Sequence, residues 1–310
     1  MWAWCSRLDA DSRVIVPPCR IESVQSLKTI DPPSLFDPAT LTLSIVVPTY
    51  NEELRLPAML DETLSYLKRR SVKQGPDFTW EVIIVDDGSM DGTVRVAAEY
   101  TRRLGVELVR TLRLPRNRGK GGAVRMGVLA ARGERVLFAD SDGATLIDDL
   151  ERLEEAMKDL AGAGKADGAG VGGEPMKPAF VLGSRAHLEE PSKAQRTFFR
   201  TFLMHGFHFL VSLVVGRGVR DTQCGFKLLS RSAARLLVPN QRLQRWAFDV
   251  ELVALAQRLG VPMREVQVTW TEIKGSKLRM LSVASMALEL VAVRVCYTAG
   301  LWRLRDVSSR

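Results

Sequence analysis

From Leu43 onward the chain alternates short apolar runs with stretches whose apolar residues recur at helical spacing. Leu43-Ser-Ile-Val-Val-Pro48 and Trp80-Glu-Val-Ile-Ile-Val85 have the length and β-branched content of buried strands. Helical spacing runs over residues 56–70 and from about 91 to 104. The alternation continues with a strand over 106–114, a helix over 119–132, a strand ending at Asp140 and a helix over 148–160. Strand–helix repetition of this length predicts βαβ units, hence an α/β fold with a mostly parallel, Rossmann-like sheet and helices on both faces. Further strands are expected at 179–182, 226–230 and 265–270, with helices at 202–215 and 248–259.

The flanks read differently. Residues 1–40, with Pro17-Pro18, Pro32-Pro33 and Pro38, have little periodicity and are expected to be an irregular lead-in without an apolar segment long enough for a signal peptide or anchor. Residues 41–275 form the expected catalytic domain, and 276–310 a C-terminal amphipathic, interfacial helix. Met280 to Trp302 is long enough to cross a bilayer, but Glu289 and Arg294 lie within it. Each charge would cost about 2.5–3.5 kcal/mol at the centre of a spanning helix, so lying in the interface or packing on the core is cheaper. Residues 161–173 are Gly/Ala-rich and read as a surface loop. The GxGxxG spacing inside that loop (Gly168 to Gly173) follows a helix and precedes Pro175 and Pro178, the wrong context for a dinucleotide fingerprint.

The chain has 310 residues and a net charge of +8, which favours an anionic partner such as a phosphorylated small molecule or an acidic membrane surface. Without a basic tail or zinc-finger spacing, no nucleic-acid partner is expected. Cys5, Cys19, Cys224 and Cys296 show no CxxC spacing, consistent with reduced thiols facing the cytosol.

The candidate chemistry sits at strand ends. Val136-Leu-Phe-Ala139 delivers Asp140 and Asp142, hard oxygen ligands one residue apart that suit Mg²⁺ or Mn²⁺ carrying a substrate phosphate. Alone, such a pair also reads as an Asp-rich turn. The first strand ends Val47-Pro48-Thr-Tyr50-Asn51-Glu52 and the second Val85-Asp86-Asp87-Gly-Ser89, placing more acidic groups at the same sheet edge, where open α/β sheets bind ligands. A carboxylate there can accept from a uracil imide or ribose hydroxyls. Asn117-Arg118-Gly119-Lys120-Gly-Gly opens a helix, whose N-terminus and basic groups favour a diphosphate; a glycine-opened surface helix is the plainer reading.

Val-Val-Pro-Thr-Tyr-Asn-Glu, Val-Asp-Asp-Gly-Ser and Asp-Ser-Asp together resemble inverting nucleotide-sugar glycosyltransferases of the GT-A fold. Gly183-Ser-Arg-Ala-His-Leu188, Arg220-Asp-Thr-Gln-Cys-Gly-Phe-Lys227, Trp246-Ala-Phe-Asp-Val-Glu-Leu252 and Trp270-Thr-Glu-Ile-Lys-Gly-Ser-Lys277 resemble the eukaryotic dolichyl-phosphate β-glucosyltransferases, from about Leu43 to Trp302. That family usually begins with a hydrophobic anchor, which residues 1–40 do not show.

The resemblance implies transfer of glucose from UDP-glucose to dolichyl phosphate, with inversion, at the cytosolic face of the endoplasmic reticulum membrane. It implies that Pro48, Tyr50, Glu52 and Asp87 hold uridine, with Asn51 and Asp86 beside them, and that Asp140 and Asp142 bind ribose, diphosphate and Mg²⁺ (or Mn²⁺). Lys120 would meet the diphosphate. Arg185, Arg196 and Arg200 are candidates for the acceptor phosphate or the diphosphate, or else a basic face toward headgroups. Asp221, Gln223 and Asp249 would contact sugar hydroxyls or shape the pocket, Asp249 equally serving as a cap or buried ion pair. His205 and His208 are expected to pack, and Cys224 to be an inert small residue. The rival readings are mannosyl transfer from GDP-mannose to the same lipid, and a catalytically silent nucleotide-sugar-binding membrane protein.

Overall fold

The computed structural model describes residues 20–22, 29–30, 33–162, 175–188, 210–216, 218–273 and 280–305. Its strands are β1 (Arg20–Glu22), β2 (Thr29–Ile30), β3 (Leu41–Thr49), β4 (Trp80–Asp86), β5 (Val109–Arg113), β6 (Gly133–Ala139), β7 (Phe180–Ser184), β8 (Phe226–Ser230) and β9 (Met263–Gln267). Its helices are α1 (Leu56–Gln74), α2 (Thr93–Leu104), α3 (Lys120–Leu129), α4 (Leu150–Ala161), α5 (Arg231–Leu237), α6 (Phe248–Arg258) and α7 (Met280–Thr298), and residues 210–215 are also helical.

All nine strands join one sheet in the order β2-β1-β5-β4-β3-β6-β8-β7-β9. The run β5-β4-β3-β6 is parallel, built by three strand–helix–strand crossovers. The strand order turns back between β3 and β6, the switch point outside which an open α/β sheet forms its crevice. One departure from a parallel reading matters: β8 runs antiparallel to both neighbours, β6 and β7. Its first residue, Phe226, stands opposite Ala139, so the segment entering β8 reaches the edge that β6 leaves. Alternation of apolar residues has no direction, so no pattern in the sequence distinguishes β8 from the strands that run the other way.

Side chains alternate cleanly across the sheet. Leu43, Ile45, Val47, Val82, Ile84 and Leu137 pack on one face against α1, α2 and α4. Val46, Ile83, Val85, Val136 and Phe138 pack on the other against α3, α5, α6 and α7. Both faces of the central strands are thus covered, which is why they read as continuous apolar runs. The exception, Glu81 in β4, is fully buried and satisfied: it accepts from Ser44 Oγ (2.6 Å), the Arg132 N–H (2.8 Å) and Arg132 Nε (2.9 Å), and pairs with Arg110. These bonds pin β3, β5 and the start of β6 to β4 at the edge away from the site.

Two features are not expected from the sequence, and the C-terminal helix has the core packing that is one of its two readings. The lead-in expected to be irregular contains β1 and β2, with β1 pairing antiparallel to β5 at Arg20–Arg113 and Ile21–Leu112. Helix α5 has no counterpart in the sequence reading, though its signal is there: Ser230 caps it by accepting from the Ala233 N–H at 3.2 Å. Helix α7 packs Leu290, Val293, Cys296 and Tyr297 into the core, while Leu288 and Val295 face outward. Among the described residues no helix is long and apolar enough to cross a membrane. Residues 163–174, with the GxGxxG spacing, and His205 and His208 lie outside the described residues.

Candidate active site

The carboxyl edge of the parallel strands gathers the acidic turns. After β3, Asn51 adopts φ 54°, a left-handed conformation that asparagine tolerates better than most residues. Its N–H donates to Ser89 Oγ (2.9 Å) and its Oδ1 accepts from the Met90 N–H (2.9 Å), stitching the β3 turn to the β4 turn. Glu52 receives both Nε and Nη2 of Arg55 at 2.7 Å, and its own N–H donates to Thr93 Oγ1 at 2.7 Å. Pro48 is buried in β3, and Tyr50 is half-buried at its exit.

After β4, the two aspartates take different tasks. Asp86, fully buried, accepts from the Ser89 N–H and closes the turn. Asp87 reaches across to the loop before α3, where Oδ1 accepts from the Arg118 N–H (2.6 Å) and Oδ2 from the Gly119 N–H (2.8 Å). Burial pushes Asp87 up to about 6, against the pull of those two N–H groups. Gly119 has φ 90°, and a Cβ there would lie 2.6 Å from the Gln244 carbonyl, so the loop admits only glycine.

Lys120, the first residue of α3, points at β6: its Nζ is 2.6 Å from Asp140 Oδ1 and 5.9 Å from the Trp246 ring centre. Burial works against its charge, but attraction from Asp140 and Asp249 outweighs it and holds the lysine above its usual pKa. Asp140 occupies a notch cut by Gly225, where a Cβ would stand 2.0 Å from Asp140 Oδ2. Asp142 Oδ1 accepts from the Ala144 N–H (3.1 Å), and burial followed by repulsion from Asp140 raises its pKa. The loop after Asp142 is zipped to the segment after β9, with Leu146 N–H to Thr269 O (3.1 Å) and Thr271 N–H to Ala144 O (2.8 Å).

Asp249 lies deeper, at the start of α6, and pairs with the fully buried Lys227 of β8, whose Nζ also donates to the Cys224 carbonyl. Burial raises Asp249, opposed by Lys227 and Lys120. Between a helix cap and a buried ion pair, the ion pair is present and the cap position is taken by Ala247. Arg185 forms a two-pronged fork with Asp221, Nε to Oδ2 at 2.8 Å and Nη2 to Oδ1 at 3.1 Å, over the Trp270 ring. Asp221 in turn is held by its own N–H donating to Glu265 and by accepting the Gln223 N–H. Cys224 is buried, and burial pushes its thiol up to about 11, the state of an inert packed residue. Arg196 and Arg200 lie outside the described residues.

Lys120, Asp140, Asp142 and Asp249 are therefore one electrostatic cluster, to which Asp87 is joined through the backbone of Arg118 and Gly119, whereas Arg185 and Gln223 are organised around Asp221. Sequence reasoning left Lys227, Gly225, Trp246 and Arg55 without roles. A lysine inside the apolar strand β8 was the available signal, since such a residue needs a buried partner. Among the described residues no group of three or more His, Cys, Asp or Glu converges as a metal cage. The pair Asp140 and Asp142 nonetheless suits a divalent cation that completes its shell with substrate oxygens, because each carboxylate commits only Oδ1 to the contacts above.

The model of glycosyl transferase family 2 matches residues 44–237, the span carrying the acidic strand ends and Lys120. Mannosyl-3-phosphoglycerate synthase from Rubrobacter xylanophilus shares the fold, at TM-score 0.52 and 19% identity over 87% of this chain and 82% of that one. The arrangement is the GT-A type, with a mixed rather than purely parallel sheet. A dolichyl-phosphate beta-glucosyltransferase of Drosophila melanogaster is 52% identical over 286 residues, covering 92% of this chain and 84% of its own length. One of Mus musculus is 52% identical over 275 residues, covering 88% and 81%. The chain belongs to glycosyl transferase family 2 and, within it, to the dolichyl-phosphate β-glucosyltransferases.

Proposed function

We propose that this chain transfers glucose from UDP-glucose to dolichyl phosphate with inversion, giving dolichyl β-D-glucosyl phosphate, the glucose donor for lipid-linked oligosaccharide assembly in protein N-glycosylation. The observation that carries the reading is 52% identity over 92% of the chain to a dolichyl-phosphate beta-glucosyltransferase, and the Lys120–Asp140 contact at the edge where three acidic strand ends meet supports it. The β3 and β4 turns, with Pro48, Tyr50, Asn51, Glu52, Asp86 and Asp87, receive uridine. Asp87 does so indirectly as well, since it fixes the loop that opens α3. Lys120 and the positive end of α3 face the diphosphate. Asp140 and Asp142 are the residues that would hold Mg²⁺ or Mn²⁺, which when bound supplies Lewis-acid stabilisation of the departing UDP.

The acceptor is a phosphate monoester, and its second pKa of about 6 leaves it ionised near neutrality. One of its oxygens attacks C1 of glucose from the face opposite UDP. The C1–O bond breaks and its electron pair leaves on the β-phosphate oxygen, so the α-linked donor becomes a β-linked product. No side chain has to remove a proton. This fits an Asp249 committed to Lys227, and it puts the weight of catalysis on positioning and charge. Arg185 and, beyond the described residues, Arg196 and Arg200 are our candidates for the acceptor side. The outward-facing Leu288, Val295 and Leu301 suit an interfacial placement of the C-terminal segment on the cytosolic face of the endoplasmic reticulum membrane.

The test is transfer of radiolabelled glucose from UDP-glucose to dolichyl phosphate in detergent, with Mg²⁺ or EDTA and with GDP-mannose as competing donor. We expect glucolipid from UDP-glucose only, abolished by EDTA and by Asp142→Asn in a folded protein. Product from GDP-mannose would overturn the sugar, and UDP binding without turnover would favour a silent binding protein.

A further inference from the structure

The segment between α5 and α6 crosses the start of α3 as a strap, and its fastenings lie on both sides. On the site side, the Gln244 carbonyl accepts from the Gly122 N–H (2.8 Å), and Gln241 Nε2 donates to the Gly121 and Leu243 carbonyls (2.9 Å each). Arg118 Nε donates to Gln244 Oε1 at 3.2 Å, and Trp246 lies beside the Lys120 ammonium. Gly121 has no room for a Cβ, which would meet Phe248 at 2.6 Å and the Leu243 carbonyl at 2.9 Å. The strap is thus the wall against which Arg118 to Gly122 are set.

On the far side it is held by one fully buried carboxylate and by the C-terminal helix. Glu251 of α6 accepts from the Arg242 N–H (3.0 Å) and the Leu243 N–H (2.7 Å), and its Oε1 accepts from the Tyr297 hydroxyl of α7 (3.0 Å). The same hydroxyl accepts from Arg242 Nη1 (3.0 Å), and Arg242 Nη2 donates to the Arg303 carbonyl (2.7 Å). The Arg242 guanidinium sits 5.5 Å from the Tyr297 ring centre and 5.4 Å from that of Trp302. At the other end of the strap, Glu289 of α7 accepts from the Ala247 N–H. Two carboxylates that touch nothing in the reaction therefore fasten the strap to α6 and α7.

We infer that Glu251 is a positioning residue for the transfer site: with Tyr297 and Glu289 it docks the strap on α7, and the strap holds Lys120 and Arg118 where the donor's diphosphate charge is met. This rests on the proposed diphosphate role of Lys120. Helix α7 then belongs to the donor site as well as to the core, so displacement of α7 loosens donor binding at a distance from the reacting atoms.

The experiment is calorimetric titration of the full chain in detergent with UDP and Mg²⁺, because a dissociation constant is independent of the fraction of active protein. Glu251→Gln replaces an acceptor of two N–H groups by a side chain that is half donor. Tyr297→Phe removes only the hydroxyl. We expect UDP affinity to fall about tenfold in Glu251→Gln and about threefold in Tyr297→Phe, both with cooperative thermal unfolding. In a Lys120→Ala background, Glu251→Gln should add less than about twofold, the mark of two residues acting through one contact. Wild-type affinity in both variants, with only a lowered Tm, would leave Glu251 a structural residue and overturn the inference. Full additivity with Lys120→Ala would overturn it too. Unchanged UDP affinity in Lys120→Ala alone would instead sink the diphosphate reading, and the inference with it. Should Glu251→Gln fail to fold, Tyr297→Phe decides.

Discussion

Gly225→Ala should inactivate the enzyme while leaving it folded. The added Cβ would stand 2.0, 2.3 and 2.6 Å from Oδ2, Cγ and Oδ1 of Asp140, and ordinary contact begins at 3.4 Å. The carboxylate must therefore retreat by about 1.4 Å, a distance set by the requirement for ordinary van der Waals contact. The backbone offers no relief and needs none, since Gly225 is not among the residues of positive φ. Asp140 is 38% exposed and can swing toward solvent, so the overpacking cost stays at about 1–3 kcal/mol and Tm falls by only a few degrees. What the swing breaks is the 2.6 Å contact with Lys120 and the placement of both carboxylate oxygens. A displacement near 1 Å in a positioned group costs roughly 100-fold in rate. Glucose transfer to dolichyl phosphate should drop by about that factor, close to the loss in Asp140→Ala, with near-native circular dichroism. Activity within threefold of wild type at an unchanged Tm would refute the reasoning, because it would mean that Asp140 does not work from this position.

Four further outcomes follow from the same geometry. Lys227→Met strands Asp249 in the interior and should cost about 3–5 kcal/mol at neutral pH, measured by denaturant unfolding; adding Asp249→Leu should recover part of it. Asp87 must be ionised to accept both the Arg118 and Gly119 N–H groups, so affinity for UDP-glucose, measured without the acceptor phosphate that itself titrates at about 6, should fall as pH drops through about 6, and this dependence should vanish in Asp87→Asn. The stability effect has the opposite sign: the folded state holds this proton more tightly than the unfolded chain. Its contribution is greatest below pH 3.8 and is lost as pH rises through about 6, which pH-dependent unfolding of wild type against Asp87→Asn will show. Tyr297→Ala should weaken UDP binding more than Leu288→Ala, because only Tyr297 reaches the strap while Leu288 faces outward.

Much of this architecture is legible from residue spacing. The strands β3, β4 and β6 announce themselves because each is covered on both faces and so carries an apolar run, interrupted in β4 by the paired Glu81. Their carboxyl ends carry the acids because crossover connections bring every parallel strand to the same edge. Asp140, Asp142 and Lys120 could be singled out on those grounds, and the two charges do meet at 2.6 Å. The course of β8 could not be read, nor could α5, whose seven residues are too short to establish a period. Arg185 illustrates a different limit: its residue type marks it as a candidate for a phosphate, but only the fold shows that its guanidinium forks onto Asp221, 36 residues away in sequence.

What the sequence determined by itself is what depends on neighbours along the chain: which segments are extended or helical, which faces are apolar, and which strand ends are acidic. The tertiary structure alone decided how groups remote in sequence share charge and space. Lys227 neutralises Asp249, Gly225 makes room for Asp140, and Glu251 holds a strap that leans on Gly119 and Gly121. The physical reason is that local periodicity follows from the backbone's own repeat, whereas a buried charge or a missing Cβ has meaning only in relation to the atoms that folding brings against it.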